Sequence, residues 1–298
     1  MKIKGIDGEK CIKCLECVKE CPSNLFYKPP TKVGEGRRVI FEDPHDGCIE
    51  CGHCIAICPT NAIIYEAPEE AKEIGEISNP QEIIEYQELM KYLRIRRSIR
   101  RFKDKMVPKE FVNKILEAMK YAPSASNAQS WEYVILIDKK RIEHVRDAVI
   151  KTMRLLRKIV KYQKYIKYFV PKNLREYITD PHTKFSVEDF FNELNEGKDP
   201  VFYEAPVVII SHAPERGSMA GVDAGIAMTH GMLAAQALEL GTCWIGYAQE
   251  ALNRHDEVKE ALHIPENHNV NGVLILGYPS MEYHRLPPRE DLNSEWFE

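Results

Sequence analysis

"CIKCLECVKECP" (residues 11–22) returns further along the chain as "CIECGHCIAICP" (48–59), each run reading C-x2-C-x2-C-x3-C-P. The two runs hold eight of the nine cysteines, and beyond residue 66 only Cys243 remains. The opening "MKIKGIDGEK" lacks the apolar core of a signal peptide, so export by that route is not expected. Clustered cysteines in such a chain are more often metal-binding than disulfide-forming, and the cytoplasm, where thiolates stay reduced, is the expected setting. A pair of structural zinc sites would use only two C-x2-C knuckles each. It would leave the third cysteine and the Cys-Pro of each run without a role. Four soft thiolates around one compact body suit an iron–sulfur cubane instead.

This spacing is the ligation pattern of bacterial iron–sulfur proteins, and residues 1–66 resemble the two-cluster ferredoxins. The resemblance implies that three close cysteines wrap one cluster while the fourth, beyond a turn fixed by proline, reaches the other. One 4Fe–4S cluster would take Cys11, Cys14, Cys17 and Cys58, and the second Cys48, Cys51, Cys54 and Cys21. The duplication is an internal repeat of a small βαβ-like unit. The segment between the runs (22–47) is longer than in the shortest members, which predicts an extended hairpin around "KPPTKVGEGRRVIFEDP" (28–44). Two adjacent clusters have no hydrolytic logic; they move electrons singly.

The 298 residues suffice for one large domain or two ordinary ones, and the cysteine step near residue 66 marks the boundary. Residues 67–88 are acidic with two prolines and read as a linker entering a helix. With 44% apolar and 29% charged residues the composition is that of a soluble globular chain. No apolar run approaches the roughly 20 residues that span a bilayer. A net charge of −4 argues against a general nucleic-acid binder.

Beyond the linker, "IIEYQELMKYL" (83–93) is loosely amphipathic and leads to the arginines. "KEFVNKILEAMKYA" (109–122) has helical apolar spacing, while 132–138, 205–213 and 271–279 read as buried strands. "DAGIAMTHGMLAAQALELG" (223–241) predicts a long Ala/Gly-rich helix with Asp223 as N-cap and Gly241 as C-cap. A helix apolar on most sides must be central or lie in a subunit interface. Residues 151–172 hold eight basic side chains and no acid, interleaved with Tyr162, Tyr165, Tyr168 and Phe169. Such a mixture can bind nucleic acid or a membrane surface, but the favoured reading is a solvated helix or lid whose aromatics pack inward. Cys243 reads as a small buried residue rather than a reactive thiol. His212 and His230 fall in no pattern.

The P-loop and the G-x-G-x-x-G fingerprint are both absent. "RIRRSIRRF" (94–102) and "PSASNAQSW" (123–131), however, resemble the opening phosphate site and the following flavin segment of the nitroreductase family of FMN flavoproteins. Ser130 stands where that family usually has Pro. "ALELGTCWIG" (237–246) resembles its flavin-face loop, and "GYPSMEYHRLPPR" (277–289) its C-terminal strand and arginine. The four motifs follow the family order over residues 89–298, with 141–200 as the expected lid. The implied fold class is α+β: a ferredoxin-like domain followed by a mixed sheet flanked by helices.

The resemblance also implies site residues. Arg satisfies phosphate oxygens bidentately, so Arg96, Arg97, Ser98 and Arg100 would hold the FMN phosphate. Arg289, with Arg285 as second candidate, would close the site, and Arg94 and Arg101 would be solvated or paired with acids. Pro123, Ser124, Ser126, Asn127 and Gln129 would lie at the flavin, with Asn127 and Gln129 bonding its polar edge and Ser124 and Ser126 as candidates for supply from a partner subunit. Gly241, Thr242, Cys243, Trp244, Ile245 and Gly246 would bring backbone N–H groups to the ring. The family implies no obligatory acid–base side chain and a homodimer.

The expected activity is electron transfer from two 4Fe–4S clusters to FMN, reducing a nitroaromatic, quinone or activated alkene. The donor would be reduced ferredoxin, flavodoxin or NAD(P)H. A second reading is an NAD(P)H-dependent nitroreductase or flavin reductase with an accessory ferredoxin domain. A third, from another class, is an iron–sulfur redox sensor or nucleic-acid binder using 94–105 and 151–172.

Overall fold

The computed structural model describes residues 1–29, 39–68, 75, 79–215 and 219–297. It divides into two compact units, residues 1–80 with 124–128, and residues 81–123 with 129–298. Most of the expected 28–44 hairpin and part of the 67–88 linker lie outside the described residues.

The first unit runs β1 (Lys2–Ile6), α1 (Glu16–Glu20), β2 (Phe26–Tyr27), β3 (Ile40–Phe41), α2 (His53–Ala56) and β4 (Ile63–Glu66). β1 pairs antiparallel with β4 and β2 with β3, so each half is a strand–helix–strand unit whose strands pair across to the other half. Ile3, Phe26, Val39, Cys54, Ile55 and Ile63 form its small core.

The repeat extends to the backbone. Lys13, Leu15 and Asn24 take φ of 62°, 68° and 53°, and their counterparts in the second run, Glu50, Gly52 and Asn61, take 53°, 75° and 50°. Only one of the six is glycine, and asparagine is the one other type here that visits this region readily. Both short helices therefore start from a left-handed residue, Leu15 and Gly52. Left-handed residues set among ordinary ones turn successive N–H groups to one side, forming a concavity that favours negative charge.

The second unit begins with α3 (Pro80–Ile83), whose first residue closes the first unit, and α4 (Tyr86–Ile95), then α5 (Lys109–Lys120) and β5 (Glu132–Leu136). There follow α6 (Lys139–Lys161), α7 (Gln163–Ile166), α8 (Lys172–Thr179), α9 (Pro181–Asn195) and β6 (Val207–Pro214). The chain ends through α10 (Ala220–Ala237), β7 (Gly241–Trp244), α11 (Gly246–Leu252), α12 (Asp256–Ala261) and β8 (His268–Gly277). The strands form one antiparallel sheet in the order β5-β6-β8-β7. Val208, Ile210, Val273 and Ile275 face the core built with α6, α9 and α11. Val207, Ile209, Leu274 and Leu276 face the core built with α5 and α10. Burial on both faces explains why these strands read as apolar runs without alternation.

Three expectations change. The segment 141–200 is not a loose lid, because Val145, Val149 and Met153 of α6 and Val187, Phe190 and Phe191 of α9 lie in the sheet core. The aromatics beyond α6 do not pack inward: Tyr162, Tyr165, Tyr168 and Phe169 are 52%, 74%, 71% and 89% exposed, because the buried stripe of α6 ends at Val160. α10 starts at Ala220 rather than Asp223, which lies buried in its first turn. It stops with Glu239 at φ 59°, where Leu240 N bonds to Ala235 O and Glu239 N to Gln236 O. That is a Schellman ending with glutamate at the left-handed position. Gly241 instead opens β7, where an added Cβ would lie 2.5–2.9 Å from Ile99 side-chain atoms.

Two stability measurements follow from these contacts. Gly241→Ala overpacks a rigid β-branched neighbour and lowers unfolding stability by about 1–3 kcal/mol, read from the urea midpoint. Asp180 caps α9 through Thr183 N, and this hydrogen bond, against the opposing effect of burial, holds its carboxyl below the ordinary 3.8. A depressed carboxylate contributes stability above its unfolded pKa and loses it as pH falls through the folded value. The gap between wild type and Asp180→Ala is therefore present at about pH 7 and closes as pH falls below the ordinary value; Asp180→Asn, which keeps a capping oxygen, shows a smaller gap.

Candidate functional site

In the first unit the eight cysteines separate into two groups. Cys11, Cys14, Cys17 and Cys58 line one cavity together with Leu15, Val39 and Ile63. Cys21, Cys48, Cys51 and Cys54 line another with Ile3, Phe26 and Phe41. These groupings coincide with the sets that the ferredoxin resemblance implies. Equivalent amides address equivalent sulfurs in the two halves: Leu25 N lies 3.5 Å from Cys21 Sγ, and Ala62 N lies 3.2 Å from Cys58 Sγ.

The thiols respond to this packing. Burial pushes Cys17 up, and the neighbouring Cys11, Cys14 and Cys58 add to it by like-charge repulsion. Cys54 is pushed up to about 11, chiefly by burial. Burial also acts on Cys58, but the N–H groups of Ala62, Thr60 and Ile63 and the Thr60 hydroxyl outweigh it and lower the thiol. Cys17 and Cys54, in opposite sets, resist ionising as free thiols, which a bound multivalent metal body relieves. With the left-handed backbone concavities, the donor sets fit 4Fe–4S clusters.

The segment 124–128 groups with this first unit. Asn127 Nδ2 donates to the Ile49 carbonyl at 3.0 Å, between Cys48 and Cys51 in sequence. Ser126, Asn127 and Gln129 take φ of 49°, 54° and 43°. Asparagine tolerates that region, while serine and glutamine cost about 1–2 kcal/mol each there. Such strain persists only where surrounding contacts fix it, as at ligand-binding loops.

In the second unit the arginine run is held as an extra strand-like segment. Ile99 N donates to Thr242 O at 2.9 Å, Lys103 N to Tyr278 O at 2.8 Å, and Ser280 N to Arg101 O at 3.0 Å. This threads residues 98–103 between the start of β7 and the chain leaving β8. A cavity of about 460 Å³ opens beside it, lined by Leu93, Arg94, Arg96, Arg97, Leu286, Pro287 and Arg289. Arg289 thus reaches the same cavity as Arg96 and Arg97, and Arg285 is not among the lining residues. Arg94, expected to be solvated or paired with acids, lines it too. No carboxylate lines the cavity, and among the described residues no salt bridge engages Arg94, Arg96, Arg97 or Arg289. Arg97 Nη1 donates to the carbonyls of Arg94 and Arg96, where a cation meets the C-terminal end of α4. A second opening of about 200 Å³ adjoins Arg96, Arg97, Gly241 and Thr242, with Glu239 also in its lining. The larger cavity, with concentrated positive charge and no counter-charge, fits a phosphate group.

Ser98 and Arg100 are placed elsewhere, around Cys243. Burial pushes that thiol up, while the Arg100 charge and a hydrogen bond with Ser98 act against it. The Arg100 guanidinium also lies 5.9 Å from the Tyr203 ring centre, a contact that nothing in the sequence signalled. Thr242, Cys243 and Ile245 are 3%, 1% and 2% exposed, so their side chains belong to the interior, while Thr242 O accepts from Ile99 N and Ile245 N donates to Val273 O. Trp244 is half-buried, with its ring edge against Gly272. Gly246 has open space where a Cβ would stand. Pro123 and Gln129 are exposed. No helix is long and apolar enough to cross a membrane among the described residues.

Comparison with known proteins agrees with these two arrangements. The nitroreductase family model matches residues 93–278, and a 4Fe–4S dicluster domain model matches residues 10–62. The chain is 27% identical over 213 residues to an FMN reductase (NAD(P)H) of Bacillus subtilis, covering 70% of this chain and 73% of that protein. It is 27% identical over 207 residues to a 4-nitrobenzoate reductase of a Nocardioides species, covering 64% and 80%. A nitroreductase with bound FMN from Desulfitobacterium hafniense shares the fold at a TM-score of 0.50 and 23% identity, covering 68% of this chain and 93% of the other. With a family match across most of the sheet-containing unit and a ferredoxin match over both cysteine runs, the chain belongs to the nitroreductase family of oxidoreductases and carries a 4Fe–4S ferredoxin domain ahead of its nitroreductase domain.

Proposed function

We propose that the protein is an FMN-dependent oxidoreductase that receives electrons singly through its ferredoxin domain and delivers them in pairs to a nitroaromatic, quinone or activated alkene. The observation that carries this reading is the presence, in one chain, of two four-cysteine groups and an arginine cavity without counter-charge. FMN, when bound, supplies the exchange between single electrons and a hydride or electron pair. Reduction of a nitro group to nitroso consumes two electrons and two protons and releases water. No side chain is assigned as the proton donor, and solvent fills that role.

Residues 1–66 act as the electron-receiving domain, 67–88 as a linker and 89–298 as the flavin domain. Cys11, Cys14, Cys17 and Cys58 hold one cluster, and Cys21, Cys48, Cys51 and Cys54 the other. Arg96, Arg97 and Arg289 hold the flavin phosphate, with Arg94 adding charge. Asn127 and Gln129 orient the polar edge of the ring, and the backbone of 241–246 faces it. The protein works as a cytoplasmic homodimer, with reduced ferredoxin or flavodoxin as donor. Direct reduction by NAD(P)H is the second reading, favoured by the name of the Bacillus relative.

Anaerobic metal and flavin analysis is expected to give about eight iron and one FMN per chain; zinc, or no flavin, overturns the reading. Arg96→Ala is expected to hold FMN roughly 10–100-fold more weakly, the worth of a charge-assisted hydrogen bond. In stopped flow, a low-potential donor is expected to reduce the clusters first and the flavin after them. If NAD(P)H reduces the flavin at the rate of turnover, and Cys14→Ala leaves turnover intact, the second reading replaces the first.

A further inference from the structure

The end of the sheet remote from the arginine cavity carries a second arrangement that neither cofactor site uses. Glu132 of β5 stands directly opposite His212 of β6, so both side chains project from the same face of the sheet. His268 of β8 pairs with Pro214, two residues beyond His212, and so also lies on that face. Three adjacent strands thus each offer one donor to a common point. One ligand atom from each residue lies within 4.8 Å of the others.

The two histidines are 3% and 6% exposed, and Glu132 is exposed. The imidazoles meet nitrogen to nitrogen, Nδ1 to Nδ1, at 2.9 Å, with their rings tilted by 50°. The 2.9 Å contact is a hydrogen bond between the rings, in which the carboxylate opposite takes no part. Tetrahedral zinc holds two imidazole nitrogens about 3.3–3.4 Å apart, so the pair opens by about 0.4–0.5 Å to take the ion. Burial holds His212 below its ordinary value, with Glu132 acting against this and His268 adding to it. Neutral imidazole is the form that ligates metal.

We propose that Glu132, His212 and His268 form a binding site for one borderline divalent transition cation of the zinc type, with water at the remaining positions on the exposed Glu132 side. Two imidazoles and a carboxylate are the donors such cations take. The ion ties β5, β6 and β8 together at this end of the sheet. From His268 to Gly277 the strand runs roughly 25–30 Å, at about 3.3 Å per residue, so the site is separate from the arginine cavity. It stands independently of the electron-transfer reading, and its failure would leave that reading untouched.

The test uses the cluster- and flavin-loaded enzyme, kept anaerobic, treated with chelator, desalted and titrated with zinc chloride. One zinc per chain is expected, with iron and FMN contents unchanged and a zinc-dependent rise in Tm. An anomalous difference peak at the zinc edge is expected between His212 Nδ1 and His268 Nδ1. His268→Gln is expected to abolish the site, and Glu132→Gln, at an exposed position where folding is preserved, to weaken it roughly tenfold or more. No retained zinc, an anomalous peak elsewhere, iron loss on titration, or Glu132→Gln binding like wild type would each overturn the proposal.

Discussion

The pairing of β6 with β8 is the constraint on which the second unit depends. Val207 to Pro214 align with Leu276 to His268, and residues from both strands are buried on both faces. With helices on either side, this pair has no polar face, and only its two ends can carry chemistry. At one end β8 fixes β7, which in turn holds the arginine segment through Ile99 and Thr242. At the other, the same register brings His212 and His268 together. A one-residue shift would turn every side chain into the opposite core, where close packing fits other shapes.

In the first unit the constraint is backbone chirality rather than core volume. The apolar interior is small, and the cysteines make up much of the packing around it. What repeats with the thiols is the left-handed conformation at Lys13, Leu15 and Asn24 and again at Glu50, Gly52 and Asn61. Lysine, leucine and glutamate gain nothing locally from that geometry. Cluster binding explains why they hold it, because the resulting N–H concavities and N–H···S contacts favour an anionic metal body. The second unit can form its sheet by burial alone, whereas the first is organised around its thiols.

The arginine run shows how one sequence feature divides in three dimensions. Arg96 and Arg97 face the cavity shared with Arg94 and Arg289, while Arg100 turns to Tyr203 and Cys243. Arg97 also ends a helix by satisfying carbonyls that α4 leaves open. Equal residue types within eight positions thus serve a ligand cavity, a helix terminus and an aromatic neighbour. The cause is the change of backbone along the run: Arg94 lies in the last turn of α4, Arg96 and Arg97 follow its end, and Arg100 lies in the segment held against β7 and the chain after β8.

The cysteine groups, the strands around 132–138, 205–213 and 271–279 and the helix at 109–122 were legible in the sequence, because each is written in residues close together along the chain. Ligand spacing and apolar periodicity are local signals, and the family motifs around residues 94–102 and 123–131 are local as well. The end of α10 was misread because Glu239, not a glycine, takes the left-handed position, held there by the packing of Leu240 and the close approach of Gly241 to Ile99. Exposure of Tyr165 and Phe169 depended on where the buried stripe of α6 runs out, which composition does not encode. Joining Arg94 to Arg289, or Glu132 to His212 and His268, required the register of strands far apart in the chain. The sequence by itself determined which chemistry each segment could offer; only the tertiary structure decided which segments met, because strand pairing and burial are non-local.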